Sequence, residues 1–153
     1  MSVMIRRCSV AEVEQNPNFP VLAREYAAES AIHGLPAPVE KIASYRVIEQ
    51  SGCFHCHGAF LGDLLVGFVV VLTPVIPHYG IAIAVCESFF VGQAHRKSGS
   101  GIKLLRAAET HAREARSPGL LVSAPSGGRL ARVLPHLGYR ETNRVFFKET
   151  VRA

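Results

Sequence analysis

The spacing of hydrophobic residues along the chain changes repeatedly between a helical period and short extended runs. Helical spacing or a helix-start signal predicts helices in the segments 9–14, 19–32, 39–50, 102–116 and 129–137. Apolar or alternating runs bounded by turn residues predict strands in the segments 3–7, 53–61, 64–72, 81–91, 120–124, 139–142 and 145–150. Because both kinds of element alternate without a linker or a repeat, residues 1–153 are predicted to form one α/β domain.

The segment 81–91 is a long apolar strand with one acidic residue inside it, Glu87. If no bulge interrupts the strand, alternate positions place on one face the residues Ile81, Ile83, Val85, Glu87, Phe89 and Val91. Carboxylates are rarely buried without a reason, and burial would raise the pKa of Glu87 toward neutrality, which suits a general base. A structural ion pair with a nearby Arg or Lys is the alternative explanation.

A short basic turn with two glycines follows this strand and precedes the helix predicted at 102–116. Gly99 and Gly101 lack side chains, so the backbone can approach a bulky anion closely. The first turn of a helix has unpartnered N–H groups and a partial positive charge, both of which favour a phosphate. Arg96 and Lys97 add positive charge. The turn has neither the closing Gly-Lys-Ser/Thr of a Walker loop nor the third glycine of a dinucleotide-binding fingerprint.

The pattern Arg96-x-x-Gly99-x-Gly101 resembles the acyl-CoA pyrophosphate loop of the GNAT superfamily of N-acetyltransferases, Gln/Arg-x-x-Gly-x-Gly/Ala. The flanking segments 89–91 and 102–105 are similar to the strand end and helix start around that loop. The resemblance implies an α/β fold whose mixed, curved central sheet of about six to seven strands is flanked by helices. The residues implied to bind the cosubstrate acetyl-CoA are Phe89, Phe90, Val91, Arg96, Lys97, Ser98, Gly99, Ser100, Gly101 and Ile102.

The resemblance also implies direct transfer of an acetyl group from acetyl-CoA to a primary amine, with Glu87 as catalytic base and no metal. In many GNAT enzymes a tyrosine four residues before a Gly-Phe or Gly-Tyr pair protonates the leaving thiolate. Here the pair is Gly138-Tyr139 and the tyrosine position is Leu134, so the general acid is not identified. The alternative is a GNAT-like protein that binds acyl-CoA without turnover, as a sensor or assembly component. The amine acceptor is not identified by the sequence.

Composition limits the kinds of binding partner and the cellular compartment that we expect for the protein. The net charge is +5, but the basic residues form no long run, so no nucleic-acid partner is predicted. The longest apolar stretch, Leu64–Leu72, is too short to span a bilayer, and no signal-peptide core follows the N-terminal arginines. Four cysteines in a chain of this length indicate reduced thiols and a cytoplasmic protein. A homodimer is left open, since homodimers are frequent among GNAT proteins.

The run Cys53-Phe-His55-Cys56-His57 contains residue types that bind zinc. Along a strand, Cys53, His55 and His57 share a face while Cys56 points away. No second pair of ligands is spaced to complete a tetrahedral site, so no metal site is predicted.

Overall fold

The computed structural model describes residues 2–37 and 42–150 and contains a central sheet with helices on both faces. The strands of this sheet are β1 (Met4–Cys8), β2 (Phe54–Leu61), β3 (Leu64–Leu72), β6 (Ala84–Val91) and β7 (Leu120–Val122). A separate ribbon contains β4 (Val75–Ile76) and β5 (Ile81–Ala82). The helices are α1 (Val10–Gln15), α2 (Phe19–Ser30), α3 (Ile42–Gln50), α4 (Ser100–Glu114) and α5 (Arg129–Val133), with 3₁₀ turns at Gln93–His95 and Leu134–Leu137.

The central sheet has the order β1-β2-β3-β6-β7 and is mixed. The first three pairings are antiparallel, whereas β6 and β7 are parallel. The prediction of a mixed sheet flanked by helices is confirmed. The predicted count of six to seven strands is too high, because the sheet described here has five.

The missing strands are the two predicted within residues 139–150, which have no regular structure. The Tyr139 hydroxyl donates to Glu109 of α4 at 2.7 Å, and Glu149 pairs with His33 at 2.7 Å. An apolar pattern favours a strand, but a strand also needs a neighbouring edge for its backbone hydrogen bonds, and this segment contacts other elements through its side chains. The large apolar side chains thereby left exposed are Val145, Phe146 and Phe147.

Each face of the sheet has its own apolar core. Helix α4 covers one core, whose buried members are Val3, Ala59, Val66, Val69, Val71, Ala84, Cys86, Val91, Leu104, Ala108 and Ala112. Helices α1, α2 and α3 cover the other, whose buried members are Cys8, Val10, Val13, Leu22, Phe54, Cys56, Phe60, Leu65, Phe68, Val70 and Phe90. Strand β3 contributes alternate residues to both cores, which explains why its sequence is apolar throughout.

Local signals set several boundaries correctly. Ser9 begins α1 with a capping box, because its hydroxyl accepts from the Glu12 amide at 3.1 Å and the Glu12 carboxylate accepts from the Ser9 amide at 2.8 Å. The dipeptide Gly62-Asp63 predicts a hairpin turn between the segments 53–61 and 64–72, and the turn between β2 and β3 falls there, with a φ of +61° at Gly62. The helix predicted at 39–50 is present from Ile42 onward, and residues 39–41 lie outside the described chain.

Helical spacing over the segment 102–116 predicts an inward face made of Ile102, Leu105, Ala108 and Ala112, and the inward face of α4 differs from this prediction at one position. The helix begins at Ser100, and Leu105, Ala108 and Ala112 are buried as expected. Ile102, predicted to point inward, is 43% exposed, while Leu104 is fully buried instead. None of the described helices is both long and apolar enough to cross a membrane.

Candidate active site

A bulge in β6 decides where its acidic residue points. In the pairing of β3 with β6, Val70 lies opposite Ser88 but Val71 lies opposite Cys86, so Glu87 is an extra residue without a partner. Such a bulge reverses the alternation of side chains. Before it, Cys86 lies in the core under α4; after it, Ser88 borders the opposite core.

The bulge makes two expectations from the sequence wrong. Phe89 and Val91 pack toward α4 together with Ala84 and Cys86, so the predicted single face of the strand does not exist. Glu87 is exposed, so the burial expected of it is absent. The sequence also predicts one strand over 81–91, whereas Ile81 and Ala82 pair with β4 in the separate ribbon.

The Glu87 carboxylate is held by two hydroxyl groups from different elements. The Ser88 hydroxyl donates to Glu87 Oε2, and the Tyr45 hydroxyl of α3 lies 3.1 Å from Ser88 Oγ and 3.5 Å from Glu87 Oε1. Burial raises the pKa of Tyr45 to about 12, against a smaller opposing effect of the Ser88 hydrogen bond. Tyr45 therefore keeps its proton at neutral pH and can act here as a hydrogen-bond donor. Burial likewise raises the pKa of the nearby Tyr26.

Sequence reasoning missed both hydroxyl groups. Ser88 carries a weak signal, because two adjacent polar residues inside an apolar strand break its alternation and so indicate a bulge. Tyr45 lies in a predicted helix 42 residues earlier, and nothing local connects it with Glu87. Only the packing of α3 against the sheet brings the two together.

Beyond the bulge, one edge of β6 is open. The parallel pairing with β7 involves only Ala84–Cys86, and in the described chain no strand pairs with Glu87–Val91 on that side. The predicted cofactor residues Phe89, Phe90 and Val91 lie along this edge. An extended ligand can add to such an edge through backbone hydrogen bonds.

The glycine turn leads directly into the first turn of α4. Gly99 precedes the helix with φ +77°, a left-handed conformation that favours glycine, and no atom lies within 4 Å of the position of an added Cβ. A Cβ on Gly101 would make ordinary contacts with Phe89 and Val91, at 3.6 and 3.8 Å. Within the described chain, the side of the turn at Gly99 is therefore open to a ligand, and Gly99 itself is exposed.

Serine hydroxyls hold the turn from within. Ser98 Oγ donates to the His95 carbonyl at 2.6 Å and is also hydrogen-bonded to Ser100 Oγ. Ser100 is fully buried, so its side chain stabilises the conformation of the turn. Lys97 and Ile102 are exposed beside it.

Arg96, predicted to add positive charge to the turn, is occupied by other contacts. Its Nε donates to the Val91 carbonyl at 3.1 Å, its terminal nitrogen pairs with Glu29 of α2 at 2.6 Å, and its guanidinium lies 5.3 Å from the centre of the Phe90 ring. These contacts tie α2, the end of β6 and the turn together. Glu29, which neutralises Arg96, gave no signal in the sequence.

Comparison with known proteins assigns the architecture. No protein-family model matches the sequence, and no curated protein is significantly similar to it. Solved structures do match. A ribosomal-protein-alanine N-acetyltransferase from Brucella melitensis biovar Abortus 2308 superposes with a TM-score of 0.73 at 18% identity, covering 99% of this chain and 100% of that one. The chain has the GNAT fold.

Two further structures with the GNAT fold are similar over their whole length. AAC(6')-Iy, in complex with the bisubstrate analogue CoA-S-monomethyl-acetylneamine, gives a TM-score of 0.75 at 18% identity, covering 99% of this chain and 100% of that one. A GNAT family acetyltransferase from Staphylococcus aureus gives 0.69 at 15% identity, covering 97% and 99%. At such low identity the likeness establishes the fold alone.

Leu134, four residues before the Gly138-Tyr139 pair, is buried at 8% exposure. Tyr79 lies exposed beyond β4 with its ring against His78. Burial, with the hydrogen bond to Glu109, raises the pKa of Tyr139. The Tyr45 hydroxyl, in contrast, is hydrogen-bonded to the Glu87–Ser88 pair.

The cysteine and histidine run lies on both faces of β2. Cys56 packs against Cys8, with 3.6 Å between the sulfur atoms, while His55 and His57 face α4, where the His55 ring lies 3.8 Å from that of His111. In the part of the chain that the structure describes, no group of three or more such residues is arranged to hold a metal ion. Burial lowers the pKa of all three histidines, to about 4 for His55.

Proposed function

We propose that the chain is an N-acetyltransferase that moves an acetyl group from acetyl-CoA directly to a primary amine. The observation that carries this proposal is the continuity of three features along one stretch of chain. Glu87 at the bulge, the open edge of β6 and the glycine turn at the start of α4 follow one another in space as in sequence. The extended thioester arm of acetyl-CoA, joined at its far end to a pyrophosphate, matches such a path.

The described residues include groups that would bind both the extended arm and the pyrophosphate of acetyl-CoA. Backbone groups of Phe89, Phe90 and Val91 would bind the extended arm of the cosubstrate along the open edge. Backbone amides from Ser98 to Ile102 would bind the pyrophosphate, where the α4 dipole also favours negative charge. Lys97, exposed beside the turn, would add a direct charge contact, while Arg96 would keep the turn in position.

The roles of the side chains follow from this placement. Acetyl-CoA supplies an activated thioester. Glu87 would take a proton from the amine, directly or through water, so that its nitrogen can attack the carbonyl carbon; a C–N bond forms and the C–S bond breaks. Ser88 and Tyr45 would hold the carboxylate in place. Leu134 cannot protonate the thiolate, so water would do so, aided by the ordinary thiol pKa of about 8.5.

The test is a calorimetric titration of acetyl-CoA into the wild type, Gly101→Glu and Gly101→Ala. The glutamate would bring negative charge into the phosphate site, so we expect binding to weaken by at least about 100-fold, equivalent to about 2.7 kcal/mol. Alanine adds only a Cβ with ordinary contacts and should bind nearly as the wild type does. Circular dichroism checks that both variants fold. Absence of wild-type binding, or equal binding by Gly101→Glu, would reject the proposal.

A second candidate is a protein that binds acyl-CoA without turnover, and buried Leu134 at the tyrosine position favours it. The two candidates differ in one measurement, the release of free thiol from acetyl-CoA in the presence of primary amines. Amine-dependent release supports the transferase. Tight binding of acetyl-CoA without release from any amine supports the binding protein.

A further inference from the structure

Two of the four cysteines lie directly opposite each other on neighbouring strands. Cys8 ends β1 and pairs with Cys56 of β2 in the antiparallel register. Both side chains belong to the core under α1, α2 and α3, with 3.6 Å between the sulfur atoms, and both are free thiols. The fold therefore brings into contact two thiols that are 48 positions apart in the sequence.

The spacing of the two strands fits a disulfide. Residues directly opposite each other on antiparallel strands have Cα atoms about 4.5 to 5.5 Å apart, and disulfides join Cα atoms about 4.4 to 6.8 Å apart. A sulfur–sulfur bond is about 2.05 Å long, so the two sulfur atoms need to approach by about 1.5 Å. Small rotations of both side chains about χ1 supply that movement, so the backbone can stay where it is.

A recess between the start of α1 and the end of α3 leads from solvent to these two cysteines. Its volume is about 390 Å³, and the residues that line it include Ser9, Glu49 and both cysteines. A molecule of water takes up about 30 Å³ in the liquid, so a peroxide or a small dithiol fits into the recess. Cys8 and Cys56 are only 6% and 4% exposed, which keeps the bulkier thiols of other proteins away.

The hydrogen bond between the two thiols makes them chemically unequal. It lowers the pKa of Cys8 and raises the pKa of Cys56. Burial and the Glu12 carboxylate oppose the change at Cys8, whereas the Arg6 guanidinium supports it. Cys8 is therefore the sulfur that loses its proton first, and the thiolate is the form that attacks a peroxide.

We propose that Cys8 and Cys56 form a reversible disulfide, which a peroxide closes and a dithiol reopens. The Cys8 thiolate attacks one oxygen of hydrogen peroxide, the O–O bond breaks, and hydroxide leaves while Cys8 becomes a sulfenic acid. The Cys56 sulfur then attacks Cys8, the S–S bond forms and the second hydroxide leaves. The two thiol protons convert both hydroxides to water, so two electrons pass from the thiols to the peroxide.

The disulfide would join two elements on the side of the sheet that carries α1 and α3. Cys8 immediately precedes Ser9, which begins α1, and the Val10 amide donates to the Glu49 carboxylate of α3 at 2.9 Å. Disulfides stabilise mainly by restricting the unfolded chain, and the effect grows with the length of the closed loop. The oxidised protein should therefore resist unfolding better than the reduced protein.

The test is treatment of the reduced, folded protein with hydrogen peroxide, followed by alkylation of the remaining thiols and proteolysis without reductant. Mass spectrometry should show that two of the four thiols have been lost and that the peptides of Cys8 and Cys56 are joined. Dithiothreitol should restore both thiols. Four alkylated cysteines after treatment, or a linkage through Cys53 or Cys86 in place of this one, would overturn the inference.

Two variants and one control make the test specific. Cys53→Ser changes an exposed cysteine in front of β2, and it should form the disulfide as the wild type does. Cys56→Ala should not form it, and circular dichroism checks that this variant folds. If it does not fold, the peptides of the wild type decide alone. Oxidation of the wild type unfolded in guanidinium should give mixed linkages, because no fold then selects the partners.

Thermal melts show whether the bond fits the folded protein. The Tm of the oxidised wild type and of oxidised Cys53→Ser should exceed that of the reduced proteins by at least about 4 °C. Linked protein with an unchanged or lower Tm would overturn the inference, because the bond would then have formed at the expense of the fold. No step involves acetyl-CoA or Glu87, so the outcome is independent of the proposed function.

Discussion

The cofactor half and the acceptor half of the candidate site are built in different ways. The turn that would bind the pyrophosphate is contiguous: Ser98, Gly99 and Ser100 shape it through a backbone conformation and hydrogen bonds between near neighbours. The acceptor half joins Glu87 to Tyr45 across 42 residues and depends on a bulge in the sheet. Recognition by backbone groups can therefore be read from a short motif, whereas the environment of a side chain depends on the packing of distant elements.

The largest effect is expected from Glu87→Gln, which tests whether the acceptor half performs chemistry. The amide keeps the size of the side chain but cannot accept the proton of an ammonium, so kcat should fall by about 10²- to 10⁴-fold. Steady-state kinetics at saturating amine measure this fall. Binding of acetyl-CoA should be unchanged, because the cofactor half is intact. Full turnover by a folded variant across the pH range would return Glu87 to a structural role.

A smaller effect is expected where the two halves meet, at the pair of Arg96 with Glu29. Glu29→Gln removes the charge that holds Arg96 against the end of β6, so the turn should be less ordered and acetyl-CoA should bind about 3- to 10-fold more weakly, a loss of about 1 kcal/mol. Calorimetry measures the change.

The matched control for that variant is Glu141→Gln, because Glu141 also pairs with an arginine, Arg144, but both side chains are largely exposed. Exposed pairs contribute little, so this control should bind acetyl-CoA as the wild type does. If Glu29→Gln bound acetyl-CoA more tightly than the wild type does, Glu29 would be keeping Arg96 away from the phosphates. That result would contradict the expectation that Glu29 supports binding by holding Arg96 in place.

The smallest effect concerns the core under α4, which supports both halves. Burial lowers the pKa of His55 to about 4, and it also lowers the pKa of His57 and His111. Between that value and the unfolded value of about 6.5, the unfolded chain binds more protons than the folded one. The free energy of unfolding should therefore fall as the pH falls from about 6.5 toward 4, lowering Tm by a few degrees.

Thermal melts of His111→Gln and His78→Gln between pH 7 and 4.5 check this expectation. The His111 ring packs against that of His55, and among the described residues neither its buried Nε2 nor the buried Nδ1 of His57 has a hydrogen-bond partner. Replacing it should make Tm less dependent on pH. His78 is exposed, so its variant should follow the wild type. If Tm depended on pH in the same way in the wild type, His111→Gln and His78→Gln, these histidines would not determine the stability of the fold in acid.

The predictions from the sequence that succeeded concern local features, like those of the cofactor half of the site. Those that failed concern the pairing of distant segments, on which the acceptor half depends. The helix start at Ser9, the hairpin turn at Gly62 and the glycine turn before α4 each depend on residues within a few positions of one another, and each was predicted. The displacement of Glu87 by a bulge depends on the register between β3 and β6, which the pattern of one strand does not contain. The strands predicted within 139–150 failed for a related reason, because an apolar pattern does not supply a partner edge.

The sequence by itself determined the alternation of helices and strands, the α/β class and the position of the glycine turn before α4. These features follow from local periodicity and from the conformational freedom of glycine, which are properties of short segments. The tertiary structure alone decided that Glu87 is exposed, that Tyr45 and Ser88 hold it, and that Glu29 neutralises Arg96. Those features arise where distant segments pack, and strand register and helix docking set the distances between their side chains.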